Sequence, residues 1–118
     1  MAKKAKVYAN PMCSKSRNAL AILRAKGYEV EEIRYLETPP SVEELERICQ
    51  LLNCKPTDII RAQEVLFQAM GLSLEDSRDH QAWLDILNKH PKLIQRPIVV
   101  IEDRAVVARP PERVEEIF

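Results

Sequence analysis

The chain has 118 residues, a length that suits one domain with one core. Its 18 lysines and arginines balance 18 aspartates and glutamates, so net charge gives no reason to expect a nucleic-acid or membrane partner. No apolar run approaches the ~20 residues that span a bilayer, no secretory signal follows the basic start and the cysteine count is odd, so we expect a cytoplasmic protein with free thiols.

The first predicted elements carry a cysteine to the start of a helix. A short strand-like segment, Ala5 to Tyr8, runs into an Asn-Pro turn, and the turn delivers Cys13 to a helix pattern over Ala19 to Lys26 that Gly27 ends. A thiol at a helix N-terminus meets unpaired backbone N–H groups and the positive end of the helix dipole, and both favour the thiolate. An arriving anion would meet the same donors. We therefore expect a reactive thiol rather than a buried, inert one.

Further along the chain, one more strand and several helices are predicted. Val30 to Leu36 indicates a second strand, and a strand–helix–strand opening favours a parallel pair with a right-handed crossover. Ser41 and Glu44 are spaced as a capping box that begins a helix. Further helices are predicted over Thr57 to Met70, ended by a glycine, and over Ser77 to Lys89.

The β pattern returns near the end of the chain. Ile98 to Ile101 and Ala105 to Ala108 are expected to pair as a hairpin, although the turn between them lacks the glycine that short hairpins prefer. Pro110 and Pro111 then open a short last helix. The order β-α-β, helical block over residues 41–90, β-β-α predicts an α/β fold with a small mixed sheet.

The remaining cysteines and the histidines do not predict a metal site. Cys49 shares an apolar helix face and is expected in the core, whereas Cys54, at the helix end, is ambiguous. Their five-residue spacing is not typical of a metal or redox motif. His80 and His90 form no cluster with these cysteines in the sequence.

The residues that follow Cys13 limit its chemistry. Ser16 stands where a dithiol oxidoreductase carries its second cysteine, so redox turnover of Cys13 would need electrons from a separate thiol. Lys15 and Arg17 would add to the field at the thiol or would simply be solvated. No histidine or carboxylate is close to Cys13 in sequence, which disfavours a Cys-His-Asp hydrolase.

Three arginines are candidates for binding an oxyanion: Arg61, Arg96 and Arg109. The last two each precede a proline, and residues before proline are pushed to extended conformations. We therefore expect the side chains of Arg96 and Arg109 to project from strand edges at opposite ends of the hairpin unit. The guanidinium fork suits bidentate hydrogen bonding to oxyanions, although an ordinary surface role is the alternative for each residue.

The sequence resembles the glutaredoxin-dependent arsenate reductase family, a branch of the thioredoxin-like superfamily. The matching segments are, in chain order, residues 10–18, 35–41, the stretch around 59–61, 90–100 and 108–112. The resemblance implies a single domain over residues 1–118 with a four-stranded thioredoxin-like sheet. Its core would be formed by residues 1–40 and 91–118, with a helical insertion over 41–90 after the second strand.

The resemblance also implies a chemistry for the site. Cys13 would attack arsenate, glutathione would form a mixed adduct, and glutaredoxin would resolve it to release arsenite, with no tightly bound cofactor. The other residues implied at the site are the oxyanion-binding Arg61, Arg96 and Arg109, a cis-proline at Pro97, and Ser16 and Arg17 in support.

Two features depart from the family pattern. Ala9 stands where the family's arsenate reductases carry a histidine just ahead of Asn-Pro, and the chain ends soon after its last predicted helix, as in short arsenate-reductase-like members. Two other hypotheses therefore stay open. One is a monothiol thiol-transferase that acts on glutathionylated partners. The other is a regulatory protein like the superfamily's RNA-polymerase-binding stress regulators, although Ser16 removes the Cys-x-x-Cys pair with which those proteins sense redox state.

Overall fold

The computed structural model describes residues 3–117 and contains one four-stranded sheet. Its strands are β1 (Lys4–Ala9), β2 (Glu29–Arg34), β3 (Ile98–Ile101) and β4 (Arg104–Val107), in the order β2-β1-β3-β4. β1 runs parallel to β2 and antiparallel to β3, which is antiparallel to β4. The predicted α/β class with a mixed four-stranded sheet is confirmed.

Four α-helices and three short 3-10 helices complete the described chain. The α-helices are α1 (Ser14–Ala25), α2 (Val42–Leu52), α3 (Val65–Ala69) and α4 (His80–Lys89), and the 3-10 helices are Pro56–Ile59, Pro91–Leu93 and Pro111–Ile117. No helix of residues 3–117 is both long and apolar enough to cross a membrane.

The first helix begins five residues earlier than its apolar stripe predicts. Residues 14–18 supply a first turn that is mostly exposed and polar, while the buried stripe starts at Ala19 and continues through Leu20 and Leu23. Apolar periodicity detects only the face of a helix that packs on the core, so it misses a turn whose role lies elsewhere. Gly27 follows the helix with φ +87°, the left-handed conformation that glycine adopts without strain.

Two units divide the chain, and the first contains the whole sheet. It consists of the residues up to Thr38 and those from Arg96 onward. The sheet and α1 bury a shared apolar cluster, and fully burying a Val or Leu side chain contributes about 1.5–3 kcal/mol to folding. Its largest members include Val7, Leu23, Val99 and Val114. The residues at the junction of the sheet and α1 therefore rest on a well-packed core.

The second unit, Pro39–Gln95, contains α2, α3 and α4. The predicted capping box is confirmed: Ser41 Oγ accepts from the Glu44 backbone N–H at 3.1 Å, and the Ser41 N–H donates to Glu44 Oε1 at 3.3 Å. The division that we predicted, with one domain over 1–118 and an insertion over 41–90, stays a prediction.

The prediction of one helix over Thr57 to Met70 is wrong. The chain instead forms a 3-10 turn, then an extended stretch in which Ile60 makes an isolated antiparallel bridge with Ile94, and only then the short α3. The backbone hydrogen bonds from Arg61 N to Leu93 O (2.7 Å) and from Gln95 N to Ile59 O (2.8 Å) hold this bridge. Pairing with a distant segment therefore overrides local helix propensity.

Other boundaries also shift from those predicted. α4 begins at His80 because Asp79 Oδ1 accepts from the Ala82 backbone N–H at 2.7 Å, so the cap lies two residues after Ser77. The segment after Pro110 is a 3-10 helix. In the hairpin turn, Glu102 takes the left-handed φ of 56° that a glycine would otherwise supply.

Candidate active site at the start of the first helix

Cys13 is the N-cap residue of α1. Its backbone is extended (φ −95°, ψ 123°), its N–H donates to Asn10 O at 2.9 Å, and its carbonyl accepts the first helical bond from Arg17 N at 3.1 Å. The N-cap position faces the backbone N–H groups of the first turn. The predicted placement of the thiol at a helix start is therefore confirmed.

Hydrogen bonds within the loop fix the path of the backbone before Cys13. Asn10 Oδ1 accepts from Met12 N at 3.0 Å, Ser16 Oγ accepts from Asn10 N at 3.2 Å, and Arg17 Nη1 donates to Pro11 O at 2.9 Å. Ser16 is fully buried. Ser16 and Arg17 thus hold the loop that presents the thiol. Sequence reasoning overlooked the side chain of Asn10, although an Asx turn ahead of a helix is a recognisable signal.

The electrostatics around the sulfur favour its ionised form. Partial burial alone would raise the pKa of Cys13. The backbone N–H groups of Ser16 and Lys15 and the Arg96 side chain outweigh that effect, and together they lower the pKa to about 7. Arg96 acts through both a hydrogen bond to the sulfur and its positive charge. The thiolate fraction of Cys13 at pH 7 is therefore well above the few per cent of a thiol of ordinary pKa.

Arg96 and Arg109 lie at the same end of the hairpin. Ile98 pairs with Val107, so the residues just before β3 and just after β4 are neighbours, and Arg109 Nη1 donates to the Arg96 carbonyl at 3.2 Å. The prediction that they project at opposite ends is wrong, because antiparallel strands bring the start of one strand beside the end of the other. The structure thus groups Cys13, Arg96 and Arg109.

The Arg96 side chain keeps an unused donor. Its Nε is buried and donates to no atom within residues 3–117. Buried donors are normally paired, so this unpaired N–H on a cationic group is free to donate to an anion. The Arg96–Pro97 and Arg109–Pro110 peptide bonds are both cis, the first as the resemblance implies.

Arg61 belongs to the second unit. Its guanidinium forms an ion pair with Glu64, with Nη1 and Oε1 2.5 Å apart, and both side chains are largely buried. Its backbone N–H donates to Leu93 in the bridge described above. The oxyanion-binding role implied for Arg61 stays a prediction.

Ala9, at the position of the family's histidine, is completely buried at the end of β1. It belongs to the apolar cluster beneath α1, and a methyl group offers neither charge nor hydrogen bond to the sulfur. The amides of the first turn and Arg96 therefore lower the pKa of Cys13 without that histidine.

Replacing Ser16 with alanine is expected to destabilise the protein by about 1–2 kcal/mol, because the Asn10 N–H loses its partner and a buried hydroxyl is removed. Urea unfolding followed by circular dichroism measures this cost. The matched control is Ser14→Ala, since Ser14 is exposed in the same turn. Equal unfolding midpoints for the two variants would show that Ser16 does not brace the loop.

The chain is similar in sequence to a known protein family and to several known proteins. A model of the ArsC family matches residues 8–117. The uncharacterized protein YfgD of Escherichia coli is 38% identical over 118 residues, which cover 99% of this chain and 98% of that protein. The arsenate reductase of Neisseria meningitidis is 37% identical over 114 residues, covering 96% and 97%.

A solved structure agrees closely with the fold. The arsenate reductase from Vibrio cholerae is 43% identical, superposes with a TM-score of 0.93 and is covered completely, as is this chain. Because both chains are covered completely, the superposition spans the β1–α1 turn that carries Cys13 and the hairpin that Arg96 and Arg109 flank.

Proposed function

Since the chain belongs to the ArsC family, with its thioredoxin-like fold, we propose that it reduces arsenate to arsenite through an adduct on Cys13. The observation that carries the proposal is the placement of the sulfur: Cys13 is the N-cap residue of α1, where the amides of the first turn and the positive charge of Arg96 lower its pKa. Relatives named arsenate reductase support the choice of oxyanion.

The first chemical step joins sulfur to arsenic. The Cys13 thiolate attacks the arsenic of arsenate, an As–S bond forms, and one oxygen leaves as water after taking up two protons. Arsenic stays pentavalent in this step, so no electrons are transferred. The lowered pKa of Cys13 favours the step because the thiolate is the nucleophile.

The amides of α1 and the two neighbouring arginines suit an oxyanion. A helix N-terminus offers free N–H donors and a positive dipole to an anion, and Arg96 adds a charge and a buried, unused Nε. Arg109 donates from Nη1 to the Arg96 carbonyl, and its guanidinium carries further N–H donors that would suit an oxygen of the anion. These groups would stabilise the negative oxygens of arsenate as the sulfur approaches.

The second step needs an external thiol. We propose that glutathione attacks the Cys13 sulfur and forms a mixed disulfide, while the As–S bonding pair stays on arsenic and reduces it from pentavalent to trivalent arsenite. Glutaredoxin then transfers the glutathionyl group to a second glutathione and restores the Cys13 thiol. Ser16 supports this route because the motif offers no second thiol, and a glutathione pool would fit the expected cytoplasmic location.

The identity of the external reductant can be tested directly. We expect arsenate-dependent NADPH consumption with glutathione, glutaredoxin and glutathione reductase, and a much lower rate when thioredoxin and thioredoxin reductase replace them. Omission of arsenate is the background control. Faster turnover with thioredoxin would overturn the glutaredoxin assignment and leave the arsenate assignment standing.

One feature favours the thiol-transferase alternative. Met12, next to Cys13, is 85% exposed, and an exposed apolar side chain beside a nucleophile suits contact with a protein. Release of glutathione from a glutathionylated protein, without turnover of arsenate, would favour this function. No feature of residues 3–117 adds support to the regulatory hypothesis.

A further inference from the structure

The end of α2 brings two cysteines together. Asn53 adopts the left-handed conformation (φ 54°, ψ 50°), its N–H donates to Gln50 O at 3.1 Å, and the Cys54 N–H donates to Cys49 O at 3.0 Å. These two bonds define a Schellman motif, in which the residues at the positions of Cys49 and Cys54 come into contact. The Schellman motif thus brings Cys49 and Cys54 close together, although their five-residue spacing matches no familiar sequence motif.

Both cysteines are free, and both line the same cavity. Cys49 is 1% exposed and Cys54 is half-buried. An open cavity of about 430 Å³ is lined by both cysteines together with Lys55 and Asp58. A small ligand therefore has space to reach the pair.

We propose that Cys49 and Cys54 form a dithiol site for trivalent arsenic, as arsenite or as a monosubstituted arsenical. Two As–O bonds of arsenite break and two As–S bonds form. Each thiol proton leaves with an arsenic-bound hydroxide as water, and arsenic stays trivalent throughout. A single arsenic atom bridges two neighbouring sulfurs, and its third bond, to a hydroxyl or an organic group, points into the cavity.

The protonation of the two thiols favours this ligand over zinc. Burial and the neighbouring Cys54 raise the pKa of Cys49 to about 12, and burial and the charge of Asp58 raise that of Cys54. Zinc binds thiolates and would have to overcome both shifts, whereas arsenite condenses with neutral thiols. Residues 3–117 also contain no group of three His, Cys, Asp or Glu side chains placed to hold a metal ion.

The proposed dithiol site does not use the proposed arsenate chemistry. Cys13 belongs to the first unit, and Cys49 and Cys54 belong to the second. The inference does not rest on arsenate turnover, because condensation of a dithiol with trivalent arsenic needs no catalysis by Cys13. Failure of one proposal therefore leaves the other intact.

The test uses the full chain with Cys13→Ser, so that Cys13 cannot bind the probe. The reduced protein is mixed with one equivalent of phenylarsine oxide, challenged with excess glutathione and weighed intact by mass spectrometry. We expect one retained arsenical per chain, which a small dithiol then removes. Cys13→Ser/Cys49→Ala and Cys13→Ser/Cys54→Ser leave one thiol at the site, and we expect binding to weaken about 100-fold or more because chelation is lost.

A matched control tests the geometry. Asn53→Gly keeps the left-handed turn, and in the Cys13→Ser background it should retain the arsenical. Circular dichroism establishes that each variant is folded. Equal retention by folded variants that lack Cys49 or Cys54 would overturn the proposal, as would a folded Cys13→Ser protein that retains no arsenical. Loss of two hydrogens with no bound arsenical would also overturn it, in favour of a disulfide between the pair.

Discussion

Cys13→Ser is expected to lower the rate of arsenate reduction by at least about a thousandfold. A serine hydroxyl is not ionised near pH 7, so the attacking thiolate is lost. An arsenate ester of serine also offers glutathione no sulfur with which to form a disulfide, so the electron-transfer step is lost as well. Arsenate-dependent NADPH consumption in the complete coupled system measures the effect.

The control for Cys13→Ser is Ser14→Ala, which changes an exposed neighbour in the same turn and should keep near wild-type activity. Both variants should unfold at a urea concentration close to that of the wild type. Substantial arsenate turnover by a folded Cys13→Ser protein would show that another group carries the chemistry.

Arg96→Gln is expected to lower kcat/KM for arsenate by about a hundredfold at pH 7. Arg96 lowers the pKa of Cys13 by a hydrogen bond and by its charge, so its loss moves that pKa from about 7 upward toward an ordinary thiol value. Because the thiolate is the deprotonated form, a raised pKa leaves less of it at pH 7. The same substitution removes the N–H fork that we propose binds an arsenate oxygen.

The pH dependence separates these two contributions. Well above pH ~8.5, the pKa of an ordinary thiol, Cys13 is ionised in both proteins. There the part of the deficit that comes from ionisation should disappear, while the part from oxyanion binding should persist. Arg104→Gln is the matched control, since Arg104 is exposed on β4 and carries the same charge. An Arg96→Gln enzyme with an unchanged pH profile would contradict the role of Arg96 at the sulfur.

The parts of the fold that could be predicted are those governed by local patterns. The hairpin strands follow from β-branched runs, and the start of α2 follows from the Ser41–Glu44 spacing, which the two capping bonds confirm. The helix expected over Thr57 to Met70 failed because Ile60 pairs with Ile94, more than thirty residues away. A single sequence carries no signal for that partner.

In the candidate site too, local features could be predicted from the sequence and long-range contacts could not. Cys13 at a helix start could be predicted from an adjacent strand, turn and helix. The meeting of Arg96 with Arg109 depends on strand register, and the effect of Arg96 on the sulfur depends on how β1 and β3 lie in the sheet. The sequence indicates Ser16 as a missing cysteine and the resemblance implies a supporting role, but neither predicts that its buried hydroxyl accepts from the Asn10 N–H and braces the loop.

The central claim is that the helix start and Arg96 lower the pKa of Cys13 to about 7, so that much more of it is thiolate at neutral pH than for an ordinary cysteine. The most direct test is the rate of carbamidomethylation of Cys13 as a function of pH, followed by mass spectrometry of the peptide that contains it. Reactivity should rise with a midpoint near pH 7, about the pKa of Cys13, and arsenate should slow it. A midpoint at or above ~8.5, indifferent to arsenate, would contradict the account.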